Sequence, residues 1–135
     1  MLSRVETSSG PQSSSTAFAI VQSELDEHTS VIAIEGELDL STAPRLKWML
    51  VDALETGHGG LIVDLSRVSF MDSTTLGVLV GVQRKLELDE RLAIVCARSE
   101  VLKIFEFSGM DGAFAIFPTH AEALAYTRGR EARAG

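Results

Sequence analysis

Hydrophobic positions along the chain follow two different periods. Phe18, Ile20 and Gln22 to Leu25 form one short apolar run, and Val31-Ile32-Ala33-Ile34 forms another, with Asp26-Glu27-His28 between them. This spacing predicts two strands joined by a turn, an antiparallel hairpin. Leu38-Asp39-Leu40 then leads into Ser41-Thr42-Ala43-Pro44, a helix start with a capping hydroxyl and a proline in the first turn, where its missing N–H does no harm. Leu46, Met49, Leu50, Ala53 and Leu54 recur on one helical face, while Arg45, Lys47, Asp52 and Glu55 point elsewhere. Gly57-His58-Gly59-Gly60 stops this helix, and Leu61-Ile62-Val63-Asp64-Leu65 has the branched, apolar texture of a central strand.

After a short linker, Asp72-Ser73-Thr74-Thr75 opens a second helix with Leu76, Leu79, Val80 and Gln83 on one side. Gly77 and Gly81 lower its propensity by roughly 1 kcal/mol each relative to alanine, so close helix-to-sheet packing or access to a site is expected to compensate. Arg91 to Ala97 reads as another apolar strand. Ser99 is expected to cap a helix through Val101, Leu102 and Phe105 that Ser108-Gly109 stops, and Ala113 to Phe117 and Thr119 to Tyr126 give a last edge strand and a last helix. A hairpin followed by alternating helix and strand predicts an α/β domain over residues 17–127. Its mixed sheet has about five strands, antiparallel at first and parallel later, with about four helices. Met1 to Thr16 has almost nothing to bury and is expected to be a disordered Ser-rich tail, and residues 128–135 a flexible, charged one.

Composition narrows the function classes. A chain of 135 residues with 45% hydrophobic content supports one core without disulfides or metals. The formal net charge of −7 argues against nucleic-acid binding, which selects surplus Lys and Arg. Cys96 is the single cysteine, a buried strand thiol in its Val-Cys-Ala setting, which fits a reducing cytoplasm. No apolar run reaches the roughly 18 residues that cross a bilayer, and no signal-peptide core opens the chain. A cytoplasmic protein is expected.

Four polar residues crowd the start of the second predicted helix, where one cap would suffice. The surplus makes Ser73 a candidate phosphate acceptor, placed where strand ends meet helix starts, as is Asp39. Other chemistries find less support. His28, His58 and His120 fall in predicted turns and no G-x-S-x-G elbow exists, so nucleophilic catalysis has no visible base. No G-x-x-x-x-G-K-[ST] occurs, and Gly57-His58-Gly59-Gly60 follows a helix instead of opening one. Glu35, Glu37 and Asp39 alternate onto one strand face, but an exposed acidic strip needs no metal to explain it.

The run Phe70-Met71-Asp72-Ser73-Thr74-Thr75-Leu76-Gly77-Val78-Leu79 resembles the signature of the STAS domain of bacterial anti-sigma-factor antagonists. Gly36-Glu37-Leu38-Asp39, Leu61 to Leu65 and Phe107-Ser108-Gly109-Met110 agree with that family in order and spacing, so the likeness spans roughly Phe18 to Tyr126. The resemblance implies a non-enzymatic protein with no cofactor and no metal. Its unmodified form binds an anti-sigma factor that is also an ATP-binding serine kinase and releases a sigma factor. Phosphorylation of Ser73 switches it off, and a serine phosphatase restores it. Thr74 stands where the family often has a second hydroxyl, and Asp39 matches an acidic residue of the partner site, with Asp72, Ser73, Thr74, Thr75 and Gly77 as further partner-binding positions. Thr75 departs from a glycine found in many members. The alternatives are a STAS subunit of a transporter or larger signalling complex, with Ser73 as a plain cap, and a small nucleotide-binding protein.

Overall fold

The computed structural model describes residues 3–7, 18–56 and 59–129. The hairpin forms as its period predicts. Strands β2 (Phe18–Asp26) and β3 (Thr29–Leu38) pair antiparallel with Ile20 opposite Ile34 and Gln22 opposite Ile32, so one face of the ribbon is largely apolar. Helix α1 (Ala43–Thr56) follows, then β4 (Gly60–Met71), α2 (Ser73–Arg84), β5 (Arg91–Val95), α3 (Ser99–Phe107), β6 (Ala115–Phe117) and α4 (His120–Thr127). The β3–β4, β4–β5 and β5–β6 pairs are parallel.

One strand was not expected. Ser3–Thr7 forms β1, antiparallel to β2 with Val5 opposite Val21, which makes six strands in sequential order. The sequence gives no warning because its five residues contain a single apolar side chain; the strand is held by main-chain hydrogen bonds to a neighbour that already exists. Residues 1–2, 8–17 and 130–135, which hold the rest of both expected tails, and Gly57 and His58 of the expected helix stop, lie outside the described residues.

Sequential parallel strands with right-handed crossovers put every connecting helix on one side of the sheet. The core follows that rule. Ile32, Ile34, Leu61, Val63, Leu65 and Ile94 meet Leu46, Met49 and Leu50 of α1, Leu76 and Leu79 of α2, and Val101 and Phe105 of α3 in one buried cluster. The alternate strand positions Val31, Ile62, Ala93 and Val95 face the other way, onto Ala123 of α4. β4 and β5 are therefore covered on both faces, which is why they read as continuous apolar runs. Each fully buried Ile or Leu contributes roughly 1.5–3 kcal/mol relative to an exposed one.

β4 is longer than the sequence suggested, because Val68 to Met71 continues the strand where a linker was expected. Irregularities at Ala33/Glu35 and Gly36/Glu37 break the alternation and hide it. Gly36 has φ 105, a conformation that side-chain-bearing residues rarely adopt. β5 pairs only with residues 60–64, so the far halves of β3 and β4 run on together beyond it. α3 begins after Arg98, which occupies the cap position without a side-chain hydrogen bond, where Ser99 was the expected cap. Its end is a Schellman turn with Gly109 at φ 76, closed by Met110 N–H to the Phe105 carbonyl at 2.8 Å.

Candidate functional site

The extended β3–β4 pair ends in two loop-to-helix junctions held side by side. Leu38 and Met71, both buried, are paired at the last register position, and the Asp72 N–H donates to the Leu38 carbonyl at 3.1 Å. On the β3 side, the Thr42 N–H and the Ala43 N–H donate to the Asp39 carbonyl, and the Asp39 N–H donates to Thr42 Oγ1 at 3.0 Å. Asp39 Oδ1 accepts from the Ser41 hydroxyl at 2.7 Å and from the Ser41 N–H at 2.9 Å. The Ser41 hydroxyl chiefly, helped by the N–H groups of Ser41 and Thr42 and opposed by a little burial, holds the Asp39 carboxyl below its ordinary value. It is a fixed, ionised acid at the rim.

On the β4 side the capping question has a clear answer. Asp72 is extended at φ −101, ψ 179, and its Oδ1 accepts from the Thr75 N–H at 3.0 Å, so Asp72 caps α2. Ser73 is the first helical residue and is exposed, and its hydroxyl has no hydrogen-bond partner among the described residues. Thr74 is exposed beside it. Among the described residues no histidine or carboxylate is hydrogen-bonded to the Ser73 oxygen. What the site does offer is the N-terminus of a twelve-residue helix, whose free N–H groups and dipole favour an anion.

Two expectations change here. Thr75, grouped on sequence with the partner-binding positions, is fully buried, because its place in the first turn of α2 points its side chain at the core. Its Oγ1 has no hydrogen-bond partner among the described residues. Gly77 and Gly81 do not mediate close packing: both are exposed, and a Cβ at either would meet nothing within 4 Å. Asp39, Asp72, Ser73, Thr74 and Gly77 remain at or near the surface. Leu40, 71% exposed, and Phe70, 49% exposed, flank the same end of the sheet; sequence reasoning passed over both, although Phe70 falls between the inward Val68 and Met71.

A second polar cluster lies on the opposite sheet face and was also missed. His120 Nε2 is 2.6 Å from Asp64 Oδ2, while Asp64 Oδ1 accepts from the Ser66 hydroxyl at 2.5 Å and the Ser66 N–H at 2.9 Å. Burial opposes ionisation of Asp64, but the hydrogen bonds from Ser66 and His120 outweigh it and lower its pKa. His120 is thus an anchor for the start of α4, where a turn histidine was expected. His28 lies in the β2–β3 turn as expected, and His58 is outside the described residues. Cys96 is buried just after β5, and burial pushes its thiol pKa up. Among the described residues no group of three His, Cys, Asp or Glu could hold a metal ion, and no helix is long and apolar enough to cross a membrane.

The fold and sequence are similar to those of known proteins. The anti-sigma-F factor antagonist RsfB of Mycobacterium tuberculosis is 30% identical over 100 residues, covering 74% of this chain and 82% of its own. The crystal structure of an anti-sigma factor antagonist from Mycobacterium paratuberculosis superposes with a TM-score of 0.78 at 28% identity, over 89% of this chain and 98% of the other. The Bacillus anti-sigma factor antagonist SpoIIAA is similar in two forms. The unphosphorylated form gives a TM-score of 0.69 at 28% identity over 82% of this chain and 96% of its own, and the phosphorylated form 0.62 at 28% over 79% and 97%. With residues 21–123 matching the STAS domain, from the hairpin to the helix that His120 anchors, the chain belongs to the STAS family.

Proposed function

We propose that this protein is an anti-sigma-factor antagonist whose unmodified form binds an anti-sigma factor that is also a serine kinase, frees a sigma factor, and is switched off by phosphorylation of Ser73. The observation that carries the proposal is the division of labour at the α2 start: Asp72 does the capping and Ser73 leaves its hydroxyl exposed and unpaired. That SpoIIAA, a relative of the same fold, occurs in a phosphorylated form supports the same chemistry here. In this reading the chain is a regulator and not a catalyst. ATP and magnesium belong to the kinase, and a serine phosphatase returns the protein to its binding form.

The switch follows from charge. A phosphate on Ser73 brings about −1.5 to −2 charges to the first turn of α2. The helix end tolerates it, so the fold stays as it is. A partner docked on that end meets the new dianion next to Asp72 and close to the ionised Asp39, and like-charge contact at an interface costs several kcal/mol, about a hundredfold or more in affinity. Asp39, Asp72, Thr74 and Gly77 are the contact positions in this proposal, and Thr74 is a second candidate acceptor.

The test is intact-mass and fragment analysis after incubation with ATP and each ATP-binding anti-sigma kinase of the same organism. One phosphoryl group on Ser73, absent in Ser73→Ala, is the expected result, with the modified protein losing its grip on the kinase. Unchanged phosphorylation of a folded Ser73→Ala protein would overturn the assignment.

A further inference from the structure

A groove of about 280 Å³ runs between α1 and α2, directly beyond the Ser73 junction. Partly buried Val51 and buried Val82 give it an apolar base, the exposed Gly77 and Gly81 leave its α2 side bare, and Lys47 and Lys85 flank it. Its volume sits at the lower edge of the roughly 300–1,000 Å³ of small-molecule sites and gives room for a few side chains of another protein. Two glycines inside one helix work against its stability, and among the described residues no atom lies within 4 Å of a Cβ built at either.

Charge says what kind of occupant fits. The chain as a whole carries −7, yet no carboxylate lines this groove, and neither lysine ammonium has an acidic partner among the described residues. Both helices cross over between parallel strands and run the same way, so Lys47, early in α1, stands toward the Ser73 end and Lys85, at the close of α2, toward the other. Thr74, next to Ser73, lines the first end.

We infer that the α1–α2 groove is part of the docking surface for the anti-sigma factor and receives an acidic segment of it. Apolar side chains of that segment lie over Gly77 and Gly81, and its carboxylates face Lys47 and Lys85. This rests on the proposed function and adds a reason for release: a phosphate on Ser73 would face the partner's own acidic segment. The switch then has charge on both sides of the contact.

The kinase that modifies Ser73 in the mass analysis is the probe. If no kinase modifies Ser73, the proposed function falls and this inference with it. With that kinase held in ADP, so that nothing is phosphorylated, affinities are measured for the wild type, a Lys47→Glu/Lys85→Glu double variant, Gly81→Leu and Ser73→Glu, with thermal melts showing that each is folded. At least about tenfold weakening is expected for the double variant, narrowing as salt is raised, and a similar loss for Gly81→Leu, whose side chain fills the groove. Hydrogen exchange on the kinase should show an acid-rich segment protected by the wild type and released by the double variant. Wild-type affinity in both groove variants while Ser73→Glu still weakens binding would overturn the groove and leave the Ser73 switch standing.

Discussion

The Asp72 N–H donates to the Leu38 carbonyl across 3.1 Å, which ties the ends of β3 and β4 together one residue before Ser73 and Asp39. Because that tie uses main chain alone, the Asp72 side chain is free to cap α2, and the Ser73 hydroxyl is left with no structural duty. In Ser73 and Asp72, adjacent residues thus divide display from support.

That division has a measurable consequence for stability. Ser73→Ala should leave the urea midpoint nearly unchanged, within about 0.5 kcal/mol, as for surface positions away from special features. Asp72→Ala should cost about 1 kcal/mol through the lost cap. A comparable loss in both variants would mean that Ser73 is part of the cap and that its hydroxyl is structural after all.

Thr75 supplies an unusual opportunity, since its hydroxyl, in the first turn of α2, is fully buried with no hydrogen-bond partner among the described residues. A buried polar group left unsatisfied costs about 1–3 kcal/mol. Thr75→Val keeps the shape and removes the hydroxyl, so thermal unfolding should show a gain of about 1 kcal/mol with phosphorylation of Ser73 unaffected. Thr75→Gly, the residue of many family members, should instead be destabilising, by roughly 0.3 kcal/mol of helix propensity and chiefly by the lost packing of a buried side chain.

These residues also show what a sequence can disclose. The hairpin, the two-sided strands and the amphipathic face of α1 were legible because burial writes itself into periods of 2 and 3.6. The polar run at 72–75 drew attention to Ser73, but its spacing did not say which residue caps and which is displayed; only the backbone at Asp72 decides that. β1 escaped because its partner supplies main-chain hydrogen bonds that leave no side-chain signature, and the second half of β4 because its register irregularities break the alternation. Asp64 and His120, 56 residues apart, meet only through the packing of α4 on the sheet. Contacts of that range carry no local pattern.

The Asp64 cluster should make part of the stability depend on pH in the acid range. Asp64 has a lower pKa folded than its ordinary value of 3.8, so the stabilisation is fully present above that value and is lost as the pH falls through the folded pKa. Asp64→Asn should therefore be less stable than the wild type at neutral pH, with the gap in melting temperature narrowing as the pH falls below about 4. His120→Ala should lower the neutral-pH melting temperature in the same direction by releasing the start of α4. A gap between wild type and Asp64→Asn that is constant from pH 7 to pH 2 would show that the carboxylate's charge plays no part.

Glycines at two places in the fold should respond to alanine with opposite signs. At Gly60 an added Cβ would lie 2.9 Å from the Thr127 Cβ and 3.3 Å from the His28 carbonyl oxygen, so the start of β4 and the end of α4 would have to separate. Gly60→Ala should lower the melting temperature. At Gly77 and Gly81 the Cβ enters open space within a helix, so each alanine should stabilise by about 0.8–1 kcal/mol, and the pair by nearly the sum because both effects are local to the backbone. The test that matters is the comparison of stability with binding in the same Gly77→Ala/Gly81→Ala protein. A more stable protein that holds its kinase less tightly would show that the bare α2 surface is kept for contact at a cost in stability; a more stable protein with undiminished affinity would show that a methyl-sized addition leaves the contact intact, and would pass the question to the larger Gly81→Leu side chain.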